Sequence, residues 1–318
     1  MEQLKILMLG PSATGKTTFM MTTYGMMTTD GIQGFKVKSR NPVQHKQLIK
    51  AYRQFETNGE YPEASIQMTD YQYDFSIDGD PILDFELTDI RGESIADLDT
   101  TQLREKIEAC DVLMLFLNGY DLYMGKDMTD DLSLLYPLIN TCLNLEKKSK
   151  LVMPTFTQID RIPGGLTDEV VEKLKEAVQP LIDAKEDNDK FLLQIVPTAC
   201  TPDCLMDLDF AIVTMIFFGY MVKLVERRKE IERELDEIRE MYGSGLIRVL
   251  IDWIGLDFKR AKARARAEAL QAEIDQFNGM TEYFERLKKF LDDYEIGTSY
   301  HIDRPKYSHK DKKSPYEW

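Results

Sequence analysis

Cysteine and histidine are scarce in this chain, with four and three residues among 318. The cysteines are Cys110, Cys142, Cys200 and Cys204. Only the last two lie close together, and no His follows at metal-ligand spacing, so a zinc finger or ribbon is excluded. Reduced structural thiols in a cytosolic protein are the expectation. Basic residues are in the minority as well: 40 Lys and Arg face 55 Asp and Glu, a net charge of -15. The balance argues against broad nucleic-acid binding, because phosphate neutralisation needs a basic field, and leaves room only for a local basic patch. Long apolar runs are missing too. The longest, Ala211 to Val222, holds about a dozen residues, too few to span a bilayer. The opening run MEQLKILMLG has neither a charged flank nor a cleavage site, so it predicts a strand rather than a signal peptide.

What is present supports one large domain, or one domain with an appendage, since 43% of the residues are hydrophobic. Near-continuous apolar runs occur at 4–10, 111–119, 150–160 and 191–199. Runs of this length suit parallel strands covered by helices on both faces. Helical patterns around 15–29, 127–148 and 167–184 alternate with them, the rhythm of a doubly wound α/β sheet. Residues 66–77 (IQMTDYQYDFSI) alternate instead, and Asp78-Gly79 separates them from PILDFELTD. That pattern predicts one antiparallel hairpin within the sheet. Residues 31–60 form a long connection in which NPVQHKQLIKAYRQF reads as an extra helix; its Lys46, Lys50 and Arg53 read as a solvated face.

The strands stop near residue 205 in this reading. The domains are then 1–205, a helical hairpin over 206–300 and a polar tail over 301–318. Residues 208–242 and 257–295 predict two long helices with heptad-like stripes, Ile231, Leu235, Ile238 and Tyr242 on one and Leu270, Ile274 and Phe277 on the other. The first would be roughly 50 Å long. Between them, residues 246–258 are apolar nearly all round, and Lys259, Arg260, Lys262, Arg264 and Arg266 follow. Two readings stay open for 246–266: packing of Leu246, Leu250, Trp253 and Phe258 on the sheet domain or a partner, and insertion into an anionic membrane surface.

The chemistry begins with GPSATGKT at 10–17, which matches G-x-x-x-x-G-K-[ST] after a strand and before a helix. Gly10 and Gly15 let backbone N–H groups curl around phosphate oxygens. Lys16 reaches the β- and γ-phosphates, and the Thr17 hydroxyl is a ligand for Mg²⁺. A Mg²⁺-nucleotide needs a second anchor at a neighbouring strand end. Asp89 closes PILDFELTD, and Gly92 completes D-x-x-G, its N–H directed to the γ-phosphate. At the end of the third run stands Thr157-Gln158-Ile159-Asp160. A carboxylate there accepts the ring N–H and exocyclic amine of guanine, a donor pair that adenine lacks. The aliphatic part of Gln158 covers the base, and a backbone N–H at Ala199 or Cys200 meets the guanine oxygen.

In this order the motifs GPSATGKT, DIRG, TQID and TAC resemble the Ras-like, translation-factor-related class of P-loop GTPases. The stretches GPSATGKTTFMMTTYG, HKQLIKAYRQF, YPEAS, YDFSI and DIRGE are similar to the bacterial double-GTPase type, over about residues 4–200. The resemblance implies a three-layer P-loop fold, GTP and GDP as ligands, Mg²⁺-dependent hydrolysis coupled to switch movement, and a place in a multi-component bacterial defence or signalling system. It assigns nucleotide contacts to Gly10, Ser12, Ala13, Thr14, Gly15, Lys16, Thr17 and Thr18. It also implies a hydroxyl ligand to Mg²⁺ from the first switch, Ser65 or alternatively Thr69. Two positions depart from the family. Gln158 stands where Lys is usual, and Glu93 where a water-orienting Gln follows the glycine. Lys16, Arg91 and Glu93 are the candidate catalytic residues, with Arg91 either offsetting the repulsion between Glu93 and the γ-phosphate, stabilising charge in cis, or simply pairing with Glu93 at the surface. The expected function is a cytoplasmic GTPase switch, slow alone, acting with a protein partner or a second copy through 206–300. The alternatives are a non-hydrolysing nucleotide-gated scaffold and a P-loop ATPase.

Overall fold

Residues Leu4–Leu9 (β1) read LKILML, apolar at every position but one, because both faces of the strand are covered. Leu4, Ile6 and Met8 enter one buried core, and Leu7 and Leu9 enter another. The computed structural model describes residues 3–32, 34–62, 69–77, 79–90, 100–126, 132, 135–137, 139, 150–186, 191–243, 265–266, 268–272, 281–294 and 299–300. After β1 come α1 (Lys16–Thr29), β2 (Phe35–Ser39), α2 (Pro42–Asn58), β3 (Thr69–Ile77), β4 (Asp80–Asp89), α3 (Thr100–Ala109), β5 (Val112–Asn118) and α4 (Gly119–Tyr123). Then follow β6 (Lys150–Thr157), a 3₁₀ turn at Ile159–Arg161, α5 (Asp168–Ala177), α6 (Gln179–Glu186), β7 (Phe191–Leu193) and β8 (Val196–Pro197). The last described elements are β9 (Ala199–Thr201), β10 (Cys204–Met206), α7 (Leu208–Gly243), α8 (Thr281–Asp292) and β11 (Ser299–Tyr300).

The main sheet runs β2-β3-β4-β1-β5-β6-β7, with β8 also paired to β6. From β4 through β7 all pairings are parallel, as the apolar runs require. Helices α1, α2 and α7 cover one face, and α3, α5 and α6 the other, giving a three-layer α/β sandwich. Side chains such as Val112, Leu113 and Phe116 are 0% exposed, and each contributes about 1.5–3 kcal/mol by leaving water.

The hairpin around Gly79 is present, pairing Ile77 with Asp80 and Thr69 with Asp89. One antiparallel pair is an underestimate, however. The connection 31–60 holds β2 as well as a helix, and β2 pairs antiparallel with β3 at the sheet edge. Its FKVKS alternates cleanly, with Phe35, Val37 and Ser39 buried and Lys36 and Lys38 outward, which also blunts the edge. The extra helix α2 starts at an Asn41 cap, whose Oδ1 accepts from Val43 N at 2.9 Å and Gln44 N at 3.3 Å. It ends at Gly59 in a left-handed conformation.

The expected helix 167–184 is two helices. Pro180 lacks an N–H and its ring excludes a straight continuation from α5, so the chain turns at Val178 and restarts as α6. Within 127–148, Leu132, Leu135 and Ile139 are buried in the second core, and most other positions lie outside the described residues.

Helix α7 has 36 residues, and its first turns, Leu208 to Ile216, lie in the same core as β1 and α1. The chain then returns antiparallel. Glu234 meets Arg266 at 2.7 Å, and further back Tyr294 donates its hydroxyl toward Asp209 at 2.8 Å and Asp207 at 3.0 Å. Ile231 on α7 and Leu270 on the returning arm are both 0% exposed. Strands do not stop at 205: β11 pairs antiparallel with β10, which pairs with β9, forming a small second sheet. Much of 246–266 and all of 301–318 lie outside the described residues.

Candidate functional site

The ends of β1, β4 and β6 converge, with β9, on one cavity of about 530 Å³. Its floor is the turn between β1 and α1. Gly10 has φ +151°, and a Cβ there would sit 2.4 Å from the Phe116 carbonyl oxygen and 2.9 Å from its Cβ, so only glycine lets the turn lie against β5. Gly15 at φ +82° precedes α1 directly. Ser12, Ala13, Thr14, Gly15, Lys16, Thr17 and Thr18 all line the cavity, and Gly10 stands behind them. The turn therefore presents the N-terminus of a 14-residue helix to the cavity, a place that favours anions.

Lys16 is 7% exposed, and its ammonium donates to the carbonyls of Gly10 at 2.7 Å and Pro11 at 2.9 Å. Burial lowers its pKa to about 8, opposed by the nearby Asp89 charge. Asp89, 1% exposed, ends β4 opposite Met8 of β1, the residue two before Gly10. Thr17 and Asp89 both line the cavity beside Lys16. A hydroxyl and a carboxylate are hard oxygen donors of the kind Mg²⁺ takes, together with ligand phosphates and water. The donor set fits that ion. Among the described residues no cluster of three or more His, Cys, Asp or Glu forms a metal cage.

The other end of the cavity is built by the exit of β6. The Thr157 hydroxyl donates to the Thr14 carbonyl at 2.7 Å, tying this exit to the phosphate-type turn. Gln158 adopts φ 58°, a left-handed conformation that costs a non-glycine residue roughly 1 kcal/mol or more. That turn swings Gln158 across the loop, where its Nε2 lies 3.4 Å from the Ala13 carbonyl. Asp160 follows within the 3₁₀ turn and lines the cavity; partial burial raises its carboxyl above the usual range. Cys200 of β9 closes the end. Its thiol is pushed up by burial and then by the Asp160 charge. Ala199 is fully buried outside the lining.

Four lining residues escaped sequence reasoning: Tyr61, Pro62, Arg161 and Thr201. Tyr61 and Pro62 follow α2 and belong to the quoted stretch YPEAS, which carried the resemblance but no assigned contact. Tyr61 packs edge-on against Phe55 of α2 at 5.4 Å between ring centres. The signal for Arg161 was adjacency to Asp160. Thr69, the alternative first-switch ligand, begins β3 and is not among the cavity-lining residues. Ser65, Arg91, Gly92 and Glu93 lie outside the described residues.

No protein-family model and no curated protein matches the chain. Solved structures with a similar fold include the SRb-GTP/SRX complex of the signal recognition particle receptor from Chaetomium thermophilum. It is 12% identical, with a TM-score of 0.42, over 63% of this chain and 92% of that one. The mammalian signal recognition particle receptor is similar at 11% identity and a TM-score of 0.40, over 66% of this chain and 99% of that one.

Proposed function

We propose that this chain is a guanine-nucleotide switch that binds GTP and GDP with Mg²⁺ and hydrolyses GTP slowly. A single observation carries the reading: Lys16, Thr17, Asp89 and Asp160 line one cavity, so a phosphate end, a metal position and a base end share one nucleotide-sized space. Lys16 leaves the Gly10 and Pro11 carbonyls for phosphate oxygens. Thr17 and Asp89 hold Mg²⁺, which supplies charge neutralisation on those oxygens. Asp160 accepts two N–H groups of guanine and leaves adenine unmatched.

In this reading Gly92, three residues after Asp89 in the sequence, offers its N–H to the γ-phosphate, Arg91 and Glu93 act beside it, and Ser65 supplies the first-switch hydroxyl. Ala199 or Cys200 contributes a backbone N–H to the guanine oxygen. The chain is of the double-GTPase type in this reading, cytoplasmic, with the segment 206–300 engaging a protein partner or a second copy. Contact of 246–266 with an anionic membrane is the competing use of the hairpin. Liposome flotation with and without Trp253→Asp separates them, and only membrane contact predicts flotation that the variant loses.

Calorimetry with GTP, GDP, ATP and XTP tests the nucleotide reading. GTP and GDP bind at least tenfold tighter than ATP, and Asp160→Asn shifts preference toward XTP, whose 2-carbonyl accepts from the new amide. Lys16→Ala abolishes the tight site. Equal affinity for GTP and ATP would remove the guanine assignment. Phosphate release with GTP bound then separates a hydrolysing switch from a non-hydrolysing scaffold.

A further inference from the structure

Gln158 occupies the place where the wall of the base end meets the phosphate-type turn, and a glutamine there has a problem of orientation. Its amide carries a donor on one side and an acceptor on the other, and the two differ little in shape. Only the orientation with Nε2 toward the Ala13 carbonyl helps to close the loop.

Arg161 resolves it. Its Nη1 donates to Gln158 Oε1 at 2.6 Å, a charge-assisted contact that the reversed amide would turn into donor against donor. The guanidinium carbon itself lies over the Tyr120 ring, 4.2 Å from its centre. Tyr120 sits in the first turn of α4, which starts from an Asn118 cap accepting Asp121 N at 3.1 Å. Gly119 lets α4 come this close to the Gln158 turn. A Cβ there would lie 2.6 Å from Ile159 Cδ1 and 3.1 Å from the Thr157 carbonyl oxygen. The chain of contacts thus runs Tyr120, Arg161, Gln158, Ala13, linking the exits of β5, β6 and β1. Arg161 and Gln158 both line the cavity.

We propose that Arg161 is a positioning residue: clamped on Tyr120, it orients the Gln158 amide so that Gln158 walls the base and clips the β6 exit to the phosphate-type turn. A lysine at 158 would need no such partner, because an ammonium donates in every rotation. Gln158 and Arg161 thus divide between them what one cationic side chain does alone. The proposal rests on the reading of the cavity as a nucleotide site.

The test is a double-mutant cycle on release of a fluorescent GDP analogue from the full chain, with calorimetry of unmodified GDP on each protein. Arg161→Ala speeds release on the order of tenfold, equivalent to about 1.4 kcal/mol. Arg161→Lys restores only part of the loss, lacking the planar, multi-donor guanidinium. In the Gln158→Lys background Arg161→Ala has no effect or slows release, since the arginine there faces another cation. KM for GTP rises with the release rate in Arg161→Ala, and that rise is absent in the Gln158→Lys background. Equal acceleration by Arg161→Ala in both backgrounds would assign Arg161 a general structural role and overturn the proposal. So would an unchanged release rate in the single variant. Wild-type chain that binds no nucleotide overturns the nucleotide reading itself, and the proposal with it; binding with a flat cycle overturns the proposal alone.

Discussion

Gly25 lies in the middle of α1, where a glycine costs about 1 kcal/mol relative to alanine. Left to propensity, Gly25→Ala would therefore stabilise the protein. The structure predicts the opposite. A Cβ at 25 would lie 2.1 Å from Cγ of Tyr52 and 2.4 Å from both Cδ atoms, against an ordinary carbon contact of about 3.5–4 Å. The clash falls on the root of the ring, so no rotation of a flexible end relieves it, and Tyr52 is 2% exposed. Forcing α2 away costs roughly 2–3 kcal/mol, the upper part of the range for overpacking. Set against the helix gain, Gly25→Ala is destabilising by about 1–2 kcal/mol. In the Tyr52→Ala background the obstruction is gone, and the same change stabilises by about 1 kcal/mol. Urea denaturation followed by circular dichroism on the four proteins reads this inversion of sign. Because α2 leads into Tyr61 and Pro62, Gly25→Ala also disturbs the cavity wall that these two residues form. Stabilisation of equal size in both backgrounds would refute the seating of Tyr52 over Gly25.

Lys16, with its pKa lowered to about 8 by burial, loses its proton in the empty protein well below the ordinary 10.5. A phosphate ligand restores the charge, so at pH 8.5 binding takes up roughly three-quarters of a proton, against almost none at pH 7. Calorimetry in buffers of different ionisation enthalpy measures this, and affinity falls as pH rises from 7 to 9. Without ligand the sign reverses for stability. Between about pH 8 and 10.5 the unfolded chain still binds a proton that the folded chain has shed, so this lysine favours folding increasingly as pH rises. At the root of the hairpin, Tyr294→Phe removes the hydroxyl that faces the buried Asp207 and Asp209, at a cost of about 1.5–3 kcal/mol. Hydrogen exchange should show α8 losing protection before β1 and β5 do; uniform loss across the chain would contradict that local role.

The parallel strands were legible because a strand buried on both faces must be apolar throughout, as LKILML and VLMLFLN are. The phosphate-type turn was legible because its glycines are demanded by local geometry. The hidden parts depend on contacts distant in sequence. Strand β2 has five residues, two of them lysine, and is stable only against β3. Strands β10 and β11 have three and two residues, and their pairing joins positions more than ninety apart. Tyr61 reaches the cavity only because α2 seats on α1, and Arg161 finds Tyr120 only because Gly119 allows the approach. No local pattern records either meeting.

The small sheet has a consequence for how the chain tolerates change. The chain departs from β10 at Met206 and re-enters beside it at Ser299, its register partner, so everything between leaves and returns through one doorway. An excursion whose two ends are neighbours can lengthen or shorten without asking the main sheet to move. Its inner portion, Leu208 to Ile216 with Leu287, is core and must be kept. Beyond that level the two antiparallel arms can be trimmed together, a turn of helix at a time, and rejoined by a short loop. The length of the excursion can thus change while β1, α1 and the cavity stay as they are.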